Sequence, residues 1–254
     1  MTTTANMSAK QQPSQVYFFG TCLIDLFYPE AGLSAIELLE REGIQVHYPQ
    51  AQTCCGQPAF NSGYNDEAIA VAAKQIELLS DPIPVIVPSA SCAAMMKHHY
   101  PTLFENHPMS SKANELASRV YELTEFLVRV LDISLTDKGT PVKIAMHTSC
   151  SARREMAVTE DGFSLIRQLK NVSIVEPERA SECCGFGGTF AIKQPEISAA
   201  MAEDKCQAIH NTGASKMISG DCGCLMNLNG VMEKTNRGIK GEHLASFIID
   251  RTRT

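Results

Sequence analysis

Two Cys-Cys-Gly triplets, Cys54-Cys55-Gly56 and Cys183-Cys184-Gly185, constrain this chain of 254 residues more than any other feature. Adjacent side chains in an extended segment point to opposite sides. Both sulfurs of such a pair reach one centre only from a sharp turn, and the following glycine permits one. Each triplet also has outlying cysteines at matching distances, Cys22 and Cys92 around the first, Cys150 and Cys224 around the second. The intervals between equivalent positions are 128 (Cys22 to Cys150), 129 (Cys54 to Cys183) and 132 (Cys92 to Cys224). Landmarks kept in order with so little drift indicate an internal duplication, whose pseudo-twofold arrangement brings two similar sites into one body.

The segments between the cysteines read as alternating strands and helices. Val16-Tyr17-Phe18-Phe19 is a buried strand ending at Cys22. Pro29 suits a first helical turn, Leu33, Ile36 and Leu39 give an apolar helix face, and Gly43 closes that helix. Gln45 to Tyr48 is a second strand leading to the first triplet. A helix from Asn65 to Leu79 precedes a third strand, Val85-Ile86-Val87, which ends towards Ser89 and Cys92. In the second unit Val142 to Met146 delivers His147 and Cys150, and Phe163, Ile166 and Leu169 mark a helix. Ser173 to Val175 leads to the second triplet, a helix runs from Pro195 to about His210, and Lys216 to Ile218 leads to Asp221, Cys222 and Cys224. Leu116, Val120, Leu123, Leu127 and Val130 predict one amphipathic linking helix, and Glu242 to Asp250 a closing one. The order predicts an α/β fold of two pseudo-repeated βαβαβ, Rossmann-like units with parallel sheets. The cysteines then fall on the loops after the strands, where such sheets carry their sites. The expected division is a disordered polar tail (1–15), a first unit with its linking helix (16–135) and a second unit (142–254), parted by the turn-rich Thr136 to Pro141.

Composition narrows the function. A net charge of −6 disfavours nucleic-acid binding, and no run approaches the ~20 apolar residues of a membrane-spanning helix. Met1 to Gln15 has no apolar h-region, so the expected location is the cytoplasm. There, ten cysteines point to metal binding or redox chemistry rather than to a disulfide framework. Thiolates are soft ligands that select zinc or iron–sulfur centres. Ligands drawn from three separate loops around an adjacent pair suit a larger object than one ion, and neither ferredoxin spacing occurs. The candidate metal ligands are Cys22, Cys54, Cys55 and Cys92 in one unit, and Cys150, Cys183, Cys184 and Cys224 in the other.

A cysteine, 31 residues, Cys-Cys-Gly and a later final cysteine resembles the pattern of the cysteine-rich CCG-domain family. Its members include the heterodisulfide reductase B subunit, the iron–sulfur subunit of glycolate oxidase and lactate utilization protein A. A stand-alone chain with two units and no ferredoxin segment most resembles the last. The resemblance implies a [4Fe–4S] cluster in each unit. It also implies membership of a multi-subunit, NAD-independent oxidoreductase that converts L-lactate, or a related 2-hydroxy acid, to pyruvate or its analogue, beside a partner subunit with ferredoxin-type clusters. The fuller family motif ends in Cys-x2-Cys and offers five thiols per unit. Ser89 and Asp221 stand at the additional position here, so a four-thiolate cubane fits the count, with an Asp221 oxygen or a shifted Cys222 as alternatives. Two other readings stay open: a zinc-binding structural subunit, with zinc in one or both sites, and a thiol–disulfide redox subunit like the heterodisulfide reductase.

Three further features each admit a structural and a functional role. His147, three residues before Cys150, either ligates, moves a proton or supports the ligands from outside; Phe19 at the matching place favours the last. Arg153 and Arg154 either form a solvated face or hold an anion, such as a carboxylate substrate or the charge of a cluster. Cys206 has no twin and is expected in the core.

Overall fold

The computed structural model describes residues 12–253. The predicted tail as far as residue 11 lies outside the described residues; beyond it, Gln12 donates to the Leu131 carbonyl at 3.1 Å. The first half runs β1 (Gln15–Phe18), α1 (Cys22–Phe27), α2 (Pro29–Arg41), β2 (Gln45–His47), α3 (Gln57–Phe60), α4 (Asn65–Leu78), β3 (Val85–Val87) and α5 (Ala90–Ala94). A π-helical turn (Met95–His99) continues α5 into α6 (Tyr100–Leu103), followed by α7 (Ser110–Arg119), β4 (Val120–Glu122) and α8 (Leu123–Arg129). The second half runs β5 (Val142–Met146), α9 (Cys150–Arg154), α10 (Thr159–Arg167), β6 (Val172–Val175), α11 (Phe190–Lys193) and α12 (Pro195–Asn211). It closes with β7 (Lys216–Ser219), α13 (Cys222–Lys234), β8 (Lys240–His243) and α14 (Leu244–Thr252).

All strand pairs are parallel, and the two sheets have the same order, β2-β1-β3-β4 and β6-β5-β7-β8. The fold is α/β, as the alternation of elements predicts. Val85, Ile86 and Val87 are fully buried, because helices cover a parallel sheet on both faces and leave its central strands no polar side. One core cluster takes Phe18, Ile86 and Phe126 from the first half and Ile144, Ile218 and Phe247 from the second. The helix contacts between the halves are reciprocal. Helix α2 packs on α14 while its counterpart α10 packs on α8, and α5 meets α9 as α13 meets α1. That reciprocity is the pseudo-twofold axis expected of the duplication.

Each half has a fourth strand that the sequence pattern conceals. The predicted linking helix is in fact α7, β4 and α8, and the predicted closing helix begins only at Leu244, after β8. Val120 and Leu123 keep a helical spacing of apolar residues across the break, and three residues are too few for strand alternation to register. In β8, Lys240-Gly241-Glu242-His243 has none of the β-branched residues that mark strands. Its glycine is required by packing: a Cβ on Gly241 would lie 2.7 Å from Asn229 Oδ1 and against the Met217 methyl group.

The turn-rich segment before β5 is fastened by charge. Arg251 of α14 donates through Nε (2.9 Å) and Nη2 (2.8 Å) to the two carboxylate oxygens of Asp137, which also accept the N–H groups of Gly139 and Asn171. Burial raises the Asp137 carboxyl, but Arg251 and those N–H groups outweigh it and hold its pKa below the ordinary value. A depressed folded-state pKa adds stability above the unfolded value of about 3.9, and that stability is lost as pH falls through the folded value. Asp137→Asn is expected to cost about 2 kcal/mol at neutral pH. The gap to the parent should close below about pH 4, and urea unfolding at both pH values checks this.

Candidate metal centre

The cysteines gather at the C-terminal edges of the strands, on either side of the point where strand order reverses. In the first sheet β1 has β2 on one side and β3 on the other; Cys22 opens α1 after β1, and Cys92 lies in the first turn of α5 after β3. Cys54 and Cys55 arrive on the loop after β2. In the second sheet Cys150 opens α9, Cys224 lies in the first turn of α13, and Cys183 and Cys184 arrive on the loop after β6. Crevices at such reversal points are where open parallel sheets bind ligands.

Both triplets make the sharp turn their glycines permit. Gly56 has φ +88° and Gly185 φ +84°, a region that L-residues with a Cβ rarely adopt. The turn aims the Gly56 N–H at Cys54 Sγ and the Gly185 N–H at Cys183 Sγ, each at 3.4 Å. The sulfurs then follow one contact order in both halves: Cys22, Cys54, Cys55, Cys92, and Cys150, Cys183, Cys184, Cys224. Cys55 and Cys92 sulfurs are 3.3 Å apart, and Cys184 and Cys224 sulfurs 3.0 Å. The S–H groups of Cys22 and Cys55, and the Gly56 N–H, hold the Cys54 thiol pKa well below its usual value. Cys150, Cys184 and the Gly185 N–H do the same for Cys183. Their protonated neighbours are pushed up, Cys55 first by its bond to Cys54 and Cys184 first by its bond to Cys183. Each set thus gathers around one favoured thiolate, and the remaining protons are those a soft metal displaces on binding.

Both sets open on one cavity of about 320 Å³, which all eight cysteines line. Residues that follow the two triplets meet beside it: Ser62 Oγ lies 2.5 Å from Thr189 Oγ1, and Gly188 faces Pro58. Gly187 and Gly188 line the cavity at positive φ. The donor set fits an iron–sulfur centre in three respects: soft thiols, approach from separate loops, and backbone N–H groups already directed at sulfur.

Asp221 and Ser89, at the place of the additional family cysteine, meet each other's half. Asp221 Oδ2 accepts the Ser91 N–H at 3.1 Å, and Oδ1 accepts the Gly223 N–H at 3.3 Å, capping α13. Ser89 Oγ lies 3.0 Å from Ser91 Oγ. Burial raises the Asp221 carboxyl and these hydrogen bonds oppose it. Cys222 is buried, lines the same cavity and is pushed up by burial and then by Asp221. Cys206 lies buried in α12 with its sulfur 3.5 Å from the Leu228 carbonyl.

His147 is buried beside the second set, and its ring lies within 4.8 Å of the Cys184 and Cys224 sulfurs. Burial, then the Lys205 charge, push it down to about 3. Arg153 pairs with Glu176 at 2.9 Å, and Arg154 donates to the Ser181 carbonyl at 3.3 Å. Neither is among the residues lining the cavity.

Several supporting residues carry no mark in the sequence. Tyr100 donates to the Cys55 carbonyl at 2.8 Å, from just beyond the π-helical turn. Asn227 does the same for the Cys184 carbonyl at 2.8 Å. Lys205, buried in α12, donates to the Arg179 carbonyl at 2.7 Å and anchors the approach to Cys183. A tyrosine, an asparagine and a lysine inside helices read as ordinary packing or surface residues, and only the long-range contact reveals their task.

The sequence profile of the cysteine-rich domain family, CCG, matches residues 16–97 and 144–229. Lactate utilization protein A of Shouchella clausii (strain KSM-K16) is 45% identical over 234 residues, 92% of this chain and 98% of that protein. The protein of the same name from Bacillus subtilis (strain 168) is 39% identical over 238 residues, 93% of this chain and 100% of that one. Among solved structures, a hypothetical protein from Helicobacter pylori superposes with a TM-score of 0.63 over 96% of this chain at 13% identity. This chain spans 50% of that one, and the likeness is of fold. Two matched units, the repeated four-cysteine sets and close relatives along nearly the full length lead to one assignment: the chain belongs to the cysteine-rich CCG-domain family, within its lactate utilization protein A group.

Proposed function

We propose that this chain is an iron–sulfur electron-transfer component of a multi-subunit system oxidising L-lactate, or a related 2-hydroxy acid, to the 2-oxo acid. In this reading it works in the cytoplasm beside a ferredoxin-type iron–sulfur subunit. No helix among the described residues is long and apolar enough to cross a membrane. The main support is that two four-cysteine sets with one contact order open on a shared cavity, in a chain whose relatives are named for lactate utilization.

Cys22, Cys54, Cys55 and Cys92 of unit 16–135 would hold one [4Fe–4S] cluster, and Cys150, Cys183, Cys184 and Cys224 of unit 142–254 the other. Such a cluster, when bound, supplies one-electron transfer at a potential tuned by hydrogen bonds to sulfur and by burial. The chain's own residues supply that tuning. Gly56 and Gly185 direct N–H groups at sulfur, while Tyr100, Asn227 and Lys205 fix the triplet loops. Oxidation of a 2-hydroxy acid to a 2-oxo acid releases two electrons and two protons. Two one-electron centres on one chain match that stoichiometry, with the partner's clusters as acceptor.

Iron, acid-labile sulfide and zinc per chain, measured on protein purified without oxygen, test the reading. About eight iron and eight sulfide are expected, two centres of four. Zinc alone, with no cluster formed on reconstitution, would sink it. A second reading, zinc in the second site as a structural ion, is favoured by the tight grouping of His147, Cys184 and Cys224. Its outcome is about four iron with about one zinc.

A further inference from the structure

The two halves differ in donor chemistry at His147, whose counterpart is Phe19. The His147 ring is 2% exposed, and neither of its nitrogens has a hydrogen-bond partner among the described residues. The other buried histidine, His243, shows the contrast: its Nε2 lies 3.2 Å from the Pro88 carbonyl, and its Nδ1 accepts the Ala245 N–H at 3.2 Å. An interior polar group left unmet is costly, so an imidazole held in this way points to a ligand. A His147 ring nitrogen and the Cys184 and Cys224 sulfurs all lie within 4.8 Å of one another. Metal–ligand bonds of about 2.0–2.3 Å place two donors on one ion within that range. A cavity of about 30 Å³ adjoins the ring, bordered by Glu122, Thr148 and Thr159. It has room for a water to meet the second ring nitrogen, and metal-bound imidazoles nearly always direct that nitrogen to such a partner.

We propose that His147 ligates the metal of the second centre through a ring nitrogen, alongside Cys184 and Cys224. The first centre is then held by thiolates alone and the second by thiolates and an imidazole. This rests on the metal-centre reading above. With His147, Cys184 and Cys224 as ligands, a four-iron centre takes only one of Cys150 and Cys183, and imidazole in place of the other thiolate raises its potential, so an iron–sulfur centre there is the more easily reduced of the two.

The test uses the full chain, purified without oxygen after growth with ordinary or ¹⁵N-labelled histidine, its metal content measured first. On reduction, pulsed EPR should resolve a directly bonded nitrogen at one of the two centres, changing with the isotope. If the metal there is zinc, X-ray absorption at the zinc edge should show an imidazole shell. His147→Phe, which copies the first half, should abolish the nitrogen signal and speed metal loss to a chelator about tenfold or more. Metal at both sites with sulfur-only coordination overturns this inference and leaves the proposed function standing. Metal at neither site overturns both. If His147→Phe does not fold, the isotope comparison in the unaltered protein decides alone.

Discussion

Cys184→Ala protein, purified without oxygen, is expected to carry about half the iron and sulfide of the parent, and Cys55→Ala the same deficit at the other site. These two thiols are among the deepest of their sets, 4% and 1% exposed. Each touches two further sulfurs: Cys183 and Cys224 around one, Cys54 and Cys92 around the other. Removing either takes a donor from the middle of a set, while the other site keeps all four of its own. The spectra of the two variants should therefore sum to that of the parent. Loss of both centres in either variant would count against independent sites. Undiminished iron would remove the cysteine from the ligand set.

Gly185→Ala is expected to destabilise the protein by about 3 kcal/mol, and Gly56→Ala by about 1 kcal/mol. Both glycines stand at positive φ, so each substitution carries a backbone cost. The difference lies in space. A Cβ at Gly185 would sit 2.6 Å from the Ser198 carbonyl oxygen, a backbone atom that also accepts no displacement without moving α12. At Gly56 the nearest atom, the Ala68 carbonyl oxygen, is 3.3 Å away. Ser198 also donates to the Gly185 carbonyl at 2.8 Å, so a shift there reaches the Cys183-Cys184 turn. Midpoints of urea unfolding for the metal-free variants should separate in that order with little change in slope. Equal midpoints would remove the packing difference from the explanation.

The residues of the candidate metal centre were legible because their spacing repeats. Cys22, Cys54, Cys55 and Cys92 have counterparts in order, and the segments between them, such as Val85-Ile86-Val87 and the helix opening at Pro29, carry strong local signals. Strands β4 and β8 were not legible. Val120-Tyr121-Glu122 sits inside a helical apolar spacing, and Lys240 to His243 is held in its sheet by pairing with β7 rather than by its own propensity. Strand formation there is decided by a partner far along the chain, which local periodicity does not encode. Ser89 and Asp221 were legible as departures from the family pattern. That Asp221 would accept from Ser91 in the opposite half follows only from how the halves dock.

The duplication, the α/β class and the candidate donors can be read from the chain alone, because covalent spacing and residue chemistry survive without knowledge of any long-range contact. Long-range contacts decide that both cysteine sets open on one cavity, that Arg153 pairs with Glu176, and that His147, without a partner among the described residues, lies against two sulfurs while Phe19 fills the matching place. The shared cavity depends on the reciprocal packing of α2 on α14 and α10 on α8, whereas the Arg153 pair and the His147 grouping form within the second half. That packing brings residues more than a hundred positions apart within reach, and the physical reason is burial of one core shared by both sheets.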